Sequence, residues 1–215
     1  MNCLAHAFGH LDDPYFAAGT CVPDWIGMAD RQLRIRRKPL EVFLDRPGED
    51  SRSLRIASGI LQHFDDDDRF HSEHAFFEIC AELSQGISRL LDSDTSMRPR
   101  IIAHVLVELV LDSEIEQRYP GTLDRYYQVI ATVDPLYLVA TVDALSGHPA
   151  TRLEQFIPRY LSDKFLYDYL DDRRLLARLS SILRRVRCPT LPESLVEVIA
   201  EARHKVSQRF DQLYR

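Results

Sequence analysis

Cysteine is scarce in this 215-residue chain, and the four that occur, Cys3, Cys21, Cys80 and Cys188, are scattered without a CxxC pair. That excludes a zinc ribbon or a dithiol redox motif and points to reduced thiols in a cytoplasmic protein. No apolar run approaches the roughly 20 residues needed to span a bilayer, so no membrane segment is expected. Met1 leads into a helix-like segment without the basic start and apolar core of a signal peptide. An excess of positive charge is missing too. The net charge of −6 argues against a general affinity for nucleic acid. Glycine is rare, with 8 residues, strand-like alternation is nearly absent, and no internal repeat or low-complexity tract is found.

What the chain does have is helical periodicity, with a hydrophobic fraction of 45% that suffices for a core and argues against disorder. Helices are expected over about residues 2–12, ended by Asp12-Asp13-Pro14, and over 15–21, broken near Pro23. The basic stretch 29–38 is helix-compatible and stopped by Pro39, and Arg46-Pro47-Gly48-Glu49-Asp50-Ser51 is a loop by composition. Further helices run from Ser53 through Phe64 into the acidic run, over 72–91 with Ser72 as N-cap, and over 97–118, closed by Pro120-Gly121. The rest reads as helices near 122–132, 135–145, 150–160, 172–186 and 193–213. The expected fold class is all-α, a helical bundle in a single domain over 1–215.

Three places collect ionisable groups in helical register. Near the start, His6 and His10 are four apart, and Asp24 follows in Val22-Pro23-Asp24-Trp25. In the second, His63, Asp67 and His71 share one helix face. In the third, His104, Glu108 and Asp112 stand four apart in a stretch that is otherwise aliphatic. Carboxylates in such surroundings must be paired, protonated or bound to a metal. Histidines and carboxylates on separate helices are a common way to build a metal centre. Without cysteine nearby, the ligand set suits Mn²⁺, Fe²⁺ or Mg²⁺, with Zn²⁺ also possible. Such an ion lowers the pKa of coordinated water and polarises a phosphoryl oxygen, which makes a phosphoester hydrolase the natural reading. The plain alternatives are a solvated helix edge for 104–112 and a hydrogen-bonded core histidine for His63. Asp65 and Asp66 read as a solvated helix end, and His10, His148 and His204 as structural.

These segments resemble the acyl carrier protein phosphodiesterases, or ACP hydrolases. Met1-Asn2-Cys3-Leu4-Ala5-His6 looks like that family's opening Met-Asn-Phe-Leu-Ala-His. Asp24, after Gly19-Thr20-Cys21-Val22-Pro23, falls where the family has an aspartate after Gly-Asn-Leu-Leu. Gly59-Ile60-Leu61-Gln62-His63 with Asp67 is similar to its Gly-Ile-x-x-His-x-x-x-Asp, and Glu108 with Asp112 is similar to its carboxylate pair spaced by four. The fit is looser at Phe165–Tyr169 and Arg184–Arg187. The resemblance implies a permuted variant of the HD phosphohydrolase bundle and a divalent metal, manganese being typical. It also implies removal of 4′-phosphopantetheine from holo-acyl carrier protein by metal-activated water. The chain departs from the family in having His71 where a second aspartate is usual, Ser113 where histidine follows the last carboxylate, and His104 without a counterpart.

The expected metal centre therefore comprises His6, Asp24, His63, Asp67, Glu108 and Asp112, with His104 and His71 as secondary candidates. Asp24, His63 and Asp112 are the candidates for a catalytic role, and the sequence does not divide ligands from a general base. Two basic clusters, Arg31, Arg34, Arg36, Arg37 and Lys38, and Arg184, Arg185 and Arg187, either steer an acidic carrier protein or are ordinary solvated helix faces. The other readings are a metal-dependent hydrolase of a nucleotide or phospholipid headgroup, and a non-catalytic helical module that binds an acidic partner.

Overall fold

The computed structural model describes residues 1–30, 32–91 and 97–214, and among these the protein is all-α, with no strand. The helices are α1 (Cys3–Ala7), α2 (Pro14–Ala29), α3 (Arg37–Leu44), α4 (Ser51–Phe70), α5 (His74–Leu90) and α6 (Pro99–Arg118). They continue as α7 (Thr122–Ala131), α8 (Pro135–Ser146), α9 (Thr151–Asp163), α10 (Asp172–Arg184), α11 (Val196–Gln208) and α12 (Phe210–Leu213). Short 3-10 turns cover Phe8–His10, Phe165–Leu170 and Glu193–Leu195. No single helix among the described residues is long and apolar enough to cross a membrane, and no disulfide joins the cysteines.

The chain divides into two compact units, each assembled from separated stretches. The first holds Asn2–Asp68 and Gly121–Lys164, and the second holds Met1, Arg69–Pro120 and Phe165–Arg215.

In the first unit α2 is the central element. Asp13 caps it by accepting the Phe16 amide at 3.1 Å, and Pro14 occupies the opening turn, where no helical acceptor is available for an N–H. Every residue from Phe16 to Val22 is buried, and α1, α7 and α9 pack around the helix. A helix covered on most sides needs little amphipathic patterning. This burial is why α2 runs straight through Pro23, which was expected to break it. A proline inside a helix costs about 3 kcal/mol, a penalty that the burial of Cys21, Val22, Trp25 and Ile26 outweighs. On the α7 and α9 side, Tyr126 and Tyr160 share a 2.6 Å hydroxyl contact, and Cys21 Sγ lies 3.2 Å from the Tyr126 hydroxyl. These buried polar groups thus satisfy one another.

The helix α4 crosses α2 at two glycines. A methyl group on Gly59 would lie 2.2 Å from the Phe16 carbonyl oxygen, and one on Gly19 would lie 2.3 Å from that of Ile56. Only residues without a side chain allow the two backbones to touch in this way.

In the second unit α5, α6 and α11 pack against one another, and α10 and the Phe165–Leu170 turn lie on α6. Their core includes Ile79, Leu83, Ile102, Leu106, Leu179 and Ile199. Arg203 of α11 ties three segments together. It donates to Asp172 at 2.7 Å, to the Ser113 hydroxyl at 2.7 Å and to the Tyr169 carbonyl at 2.6 Å.

Several helix boundaries differ from those expected. Pro39 does not stop a helix but lies in the first turn of α3, where it removes no helical hydrogen bond. Within the basic stretch before it, residues 32–36 are not helical, because only Leu33 among them is buried and no apolar stripe anchors a helix. Ser72 is not the cap of α5, a position that Glu73 takes. The Ser72 hydroxyl instead donates back to the Arg69 carbonyl at 2.7 Å.

Candidate metal centre

Within the first unit, three helices bring His6, Asp24, His63 and Asp67 together. His6 lies in the last turn of the short buried helix α1 and is 1% exposed. Asp24 stands on α2, one turn beyond the Thr20 carbonyl. His63 and Asp67 are one turn apart on α4. His6, Asp24 and His63 each offer a ligand atom, and these atoms all lie within 4.8 Å of one another. The His6 and His63 rings stack with centroids 3.8 Å apart.

The hydrogen bonds around the rings decide which nitrogens face this point. His63 Nδ1 lies 2.8 Å from the Thr20 carbonyl oxygen. A carbonyl only accepts, so Nδ1 carries the hydrogen and Nε2 keeps its lone pair whenever the ring is neutral. The Gly19–Gly59 crossing makes that bond possible, since Thr20 follows Gly19 directly and His63 stands one helical turn beyond Gly59. His6 Nδ1 lies 3.4 Å from Asp66 Oδ2, and the Gln62 amide holds the other Asp66 oxygen at 2.9 Å. Both rings are therefore oriented from behind. A carbonyl or carboxylate on Nδ1 is the usual support of a metal-bound histidine.

The Nε2 atoms meet Asp67, with His6 at 3.3 Å from Oδ1 and His63 at 3.4 Å from Oδ2. The His6 contact is within ion-pairing distance but too poorly aligned to be a hydrogen bond, which leaves Nε2 without a hydrogen-bond partner. Asp24 Oδ2 is likewise buried with no hydrogen-bond partner. A buried carboxylate oxygen in that state costs free energy unless something positive meets it. Two imidazole nitrogens and two carboxylates are the donor set of a hard-to-borderline divalent ion.

The electrostatics follow. Burial works to lower the pKa of His6, but Asp66, Asp67 and Asp24 outweigh it and raise it to about 9. Burial works to raise that of Asp67, but His6 and His63 hold it well below the usual carboxylate range. Without an ion, a proton on His6 balances part of the acidic charge.

Asp66 was missed by the sequence reading, which took it for solvated. It is 6% exposed and braces His6, whereas Asp65 is exposed and pairs with Arg37 at 2.5 Å. Its signal was present in the buried stripe of α4, where Ile56, Ile60, His63 and Phe70 place position 66 on the inner face.

Glu108 and Asp112 belong to the second unit, on α6. Glu108 Oε1 is met by His71 Nε2 at 3.0 Å and His104 Nε2 at 3.1 Å, and the Met1 amino group lies 3.7 Å away. Burial pushes the Glu108 carboxyl up, but the Met1 amino group and the two histidines hold it down at about 2. Asp112, one turn on, is 1% exposed and belongs to neither cluster of converging ligand atoms. Ser113 donates to the Val110 carbonyl at 2.7 Å and accepts from Arg203, so it holds the helix packing. In the first basic cluster, Arg31 lies outside the described residues, and Arg37 is engaged by Asp65 and Asp68.

No family model, curated protein or solved structure compared with the chain matches it.

Proposed function

We propose that the protein is a metal-dependent phosphodiesterase whose ion is held by His6, Asp24, His63 and Asp67. One observation carries this reading. Both histidines have Nδ1 engaged from behind and Nε2 facing Asp67, while Asp24, whose ligand atom lies within 4.8 Å of one on each ring, keeps a buried oxygen without a hydrogen-bond partner. A purely structural cluster would not leave the buried Asp24 oxygen unmatched.

A divalent ion in this site, with manganese the first choice and iron, magnesium or zinc the others, supplies Lewis-acid charge for a phosphoryl oxygen and a water of lowered pKa. The chain's own groups set up that chemistry. Thr20 and Asp66 fix the ring tautomers, Gln62 fixes Asp66, and Asp67 and Asp24 supply the negative charge that favours a dication.

The substrate follows from the family likeness at Met1–His6, Asp24 and Gly59–Asp67. It is holo-acyl carrier protein, and the reaction cleaves the phosphodiester to release 4′-phosphopantetheine and the carrier serine. The exposed Arg34, Arg36 and Lys38 offer positive charge to an acidic carrier. Such a partner and unpaired thiol chemistry fit a cytoplasmic setting.

The test incubates holo-carrier protein with the purified protein and Mn²⁺. The carrier mass is expected to fall by one phosphopantetheine, and Asp24→Asn to abolish the loss. Turnover of a generic phosphodiester without loss of carrier mass would move the reading to another phosphoester. Absence of bound metal, with stability unchanged by Asp24→Ala, would leave a non-catalytic binding module.

A further inference from the structure

The cluster on α6 in the second unit shares no residue with the centre proposed in the first unit. His104 and Glu108 are one helical turn apart, and His71 comes from the turn that follows α4. The ligand atoms of His71, His104 and Glu108 all lie within 4.8 Å of one another. Both Nε2 atoms aim at a single carboxylate oxygen, Oε1 of Glu108, at 3.0 and 3.1 Å. The two imidazoles stack with centroids 4.9 Å apart and planes 22° from parallel. Phe76 stands edge-on to both, at 5.2 Å from His71 and 5.0 Å from His104, so one aromatic side chain restricts the rotation of each ring. Two histidines aimed at one carboxylate oxygen, with Nε2 inward and the rings braced from the side, place three donors around one point on rigid backbone.

We propose that His71, His104 and Glu108 form a further divalent-metal site, of the two-histidine, one-glutamate type, that takes a borderline ion such as Zn²⁺, Co²⁺ or Fe²⁺. That ligand set is a familiar one for zinc and non-haem iron, and with three protein donors it leaves positions open for water or a small ligand. The ion can reach it, because His104 is 44% exposed and His71 34%. The open side has a destination, since His104 also lines a cleft of about 390 Å³ with Phe76, Phe77, Cys80 and Arg100. The apolar wall and the single arginine suit an anionic ligand with an apolar part.

The test titrates metal-stripped full-length protein with Co²⁺, read by visible absorption and by competition with a chelator. It compares the wild type, His71→Gln/His104→Gln and Asp24→Asn, each checked for fold by circular dichroism. The wild type is expected to take up an ion that the double variant binds more than about 100-fold more weakly, and Asp24→Asn is expected to keep it. His104→Gln alone, at a half-exposed position, serves if the double variant does not fold. A folded variant that binds as many ions as tightly as the wild type overturns the proposal. Loss confined to Asp24→Asn also overturns it and leaves the first centre standing, whereas loss confined to the histidine variants supports it without the first centre.

Discussion

Gly59→Ala should weaken the metal centre without touching a ligand. The new methyl carbon would lie 2.2 Å from the Phe16 carbonyl oxygen and 2.9 Å from the Thr20 amide nitrogen, both backbone atoms that cannot rotate aside. Ordinary contact begins near 3.4 Å, so α2 and α4 must part by a little over 1 Å. The His63–Thr20 hydrogen bond, now 2.8 Å, then stretches to about 4 Å and is lost. Overpacking of this kind costs up to about 3 kcal/mol, and alanine returns about 1 kcal/mol through helix propensity. The net loss of about 2 kcal/mol corresponds to a fall of about 4–8 °C in Tm for a chain of this size. Freeing the His63 ring should lower metal affinity by about 10- to 100-fold. Gly27→Ala on α2 is the control, because its added methyl meets nothing within 4 Å, and it should stabilise by about 0.5–1 kcal/mol. Thermal unfolding and a metal-buffered titration read both effects. If Gly59→Ala matches Gly27→Ala in Tm and metal affinity, the tight crossing does not support the site and the reasoning fails.

Asp66→Asn should lower metal affinity by about 10- to 100-fold with little change in fold, because the brace behind His6 loses its charge; an unchanged isotherm would remove Asp66 from the site. In the metal-free protein His6 is raised from 6.5 to about 9, worth on the order of 3 kcal/mol. Its contribution is complete below pH 6.5 and lost as pH rises through about 9, while that of Asp67, whose pKa is depressed, is present above about pH 4 and lost on acidification. Urea unfolding across pH should show both slopes, and a flat profile between pH 6.5 and 9 would contradict the His6 assignment. Burial, and then the charge on Glu108, push the Cys80 thiol up to about 12. Iodoacetamide should therefore label Cys80 slowly at pH 8 and faster with each step toward pH 12, followed by peptide mass; rapid labelling at pH 8 would refute the environment described.

The helices were legible where apolar spacing repeats over several turns, as in α4 and α6, because burial of a stripe is what makes them helical. Local propensity misread Pro23, Pro39 and Ser72. At Pro23 the decision rests with α1, α7 and α9 packed around α2, which a local window does not contain. His63 and Asp67 were readable as one face of one helix, and His104 and Glu108 likewise. Their partners were not, since His6 reaches Asp66 across 60 residues and His71 reaches Glu108 across 37. Asp66 was hidden among four aspartates, of which only the geometry of α4 separates the inward pair from the outward pair.

The most direct test is anomalous diffraction from crystals of the full-length protein loaded with Mn²⁺. The account predicts an ion within bonding distance of His6 Nε2, His63 Nε2, Asp24 and Asp67. Crystals that take up no ion there, with the His6 and His63 side chains in the same arrangement, would contradict it.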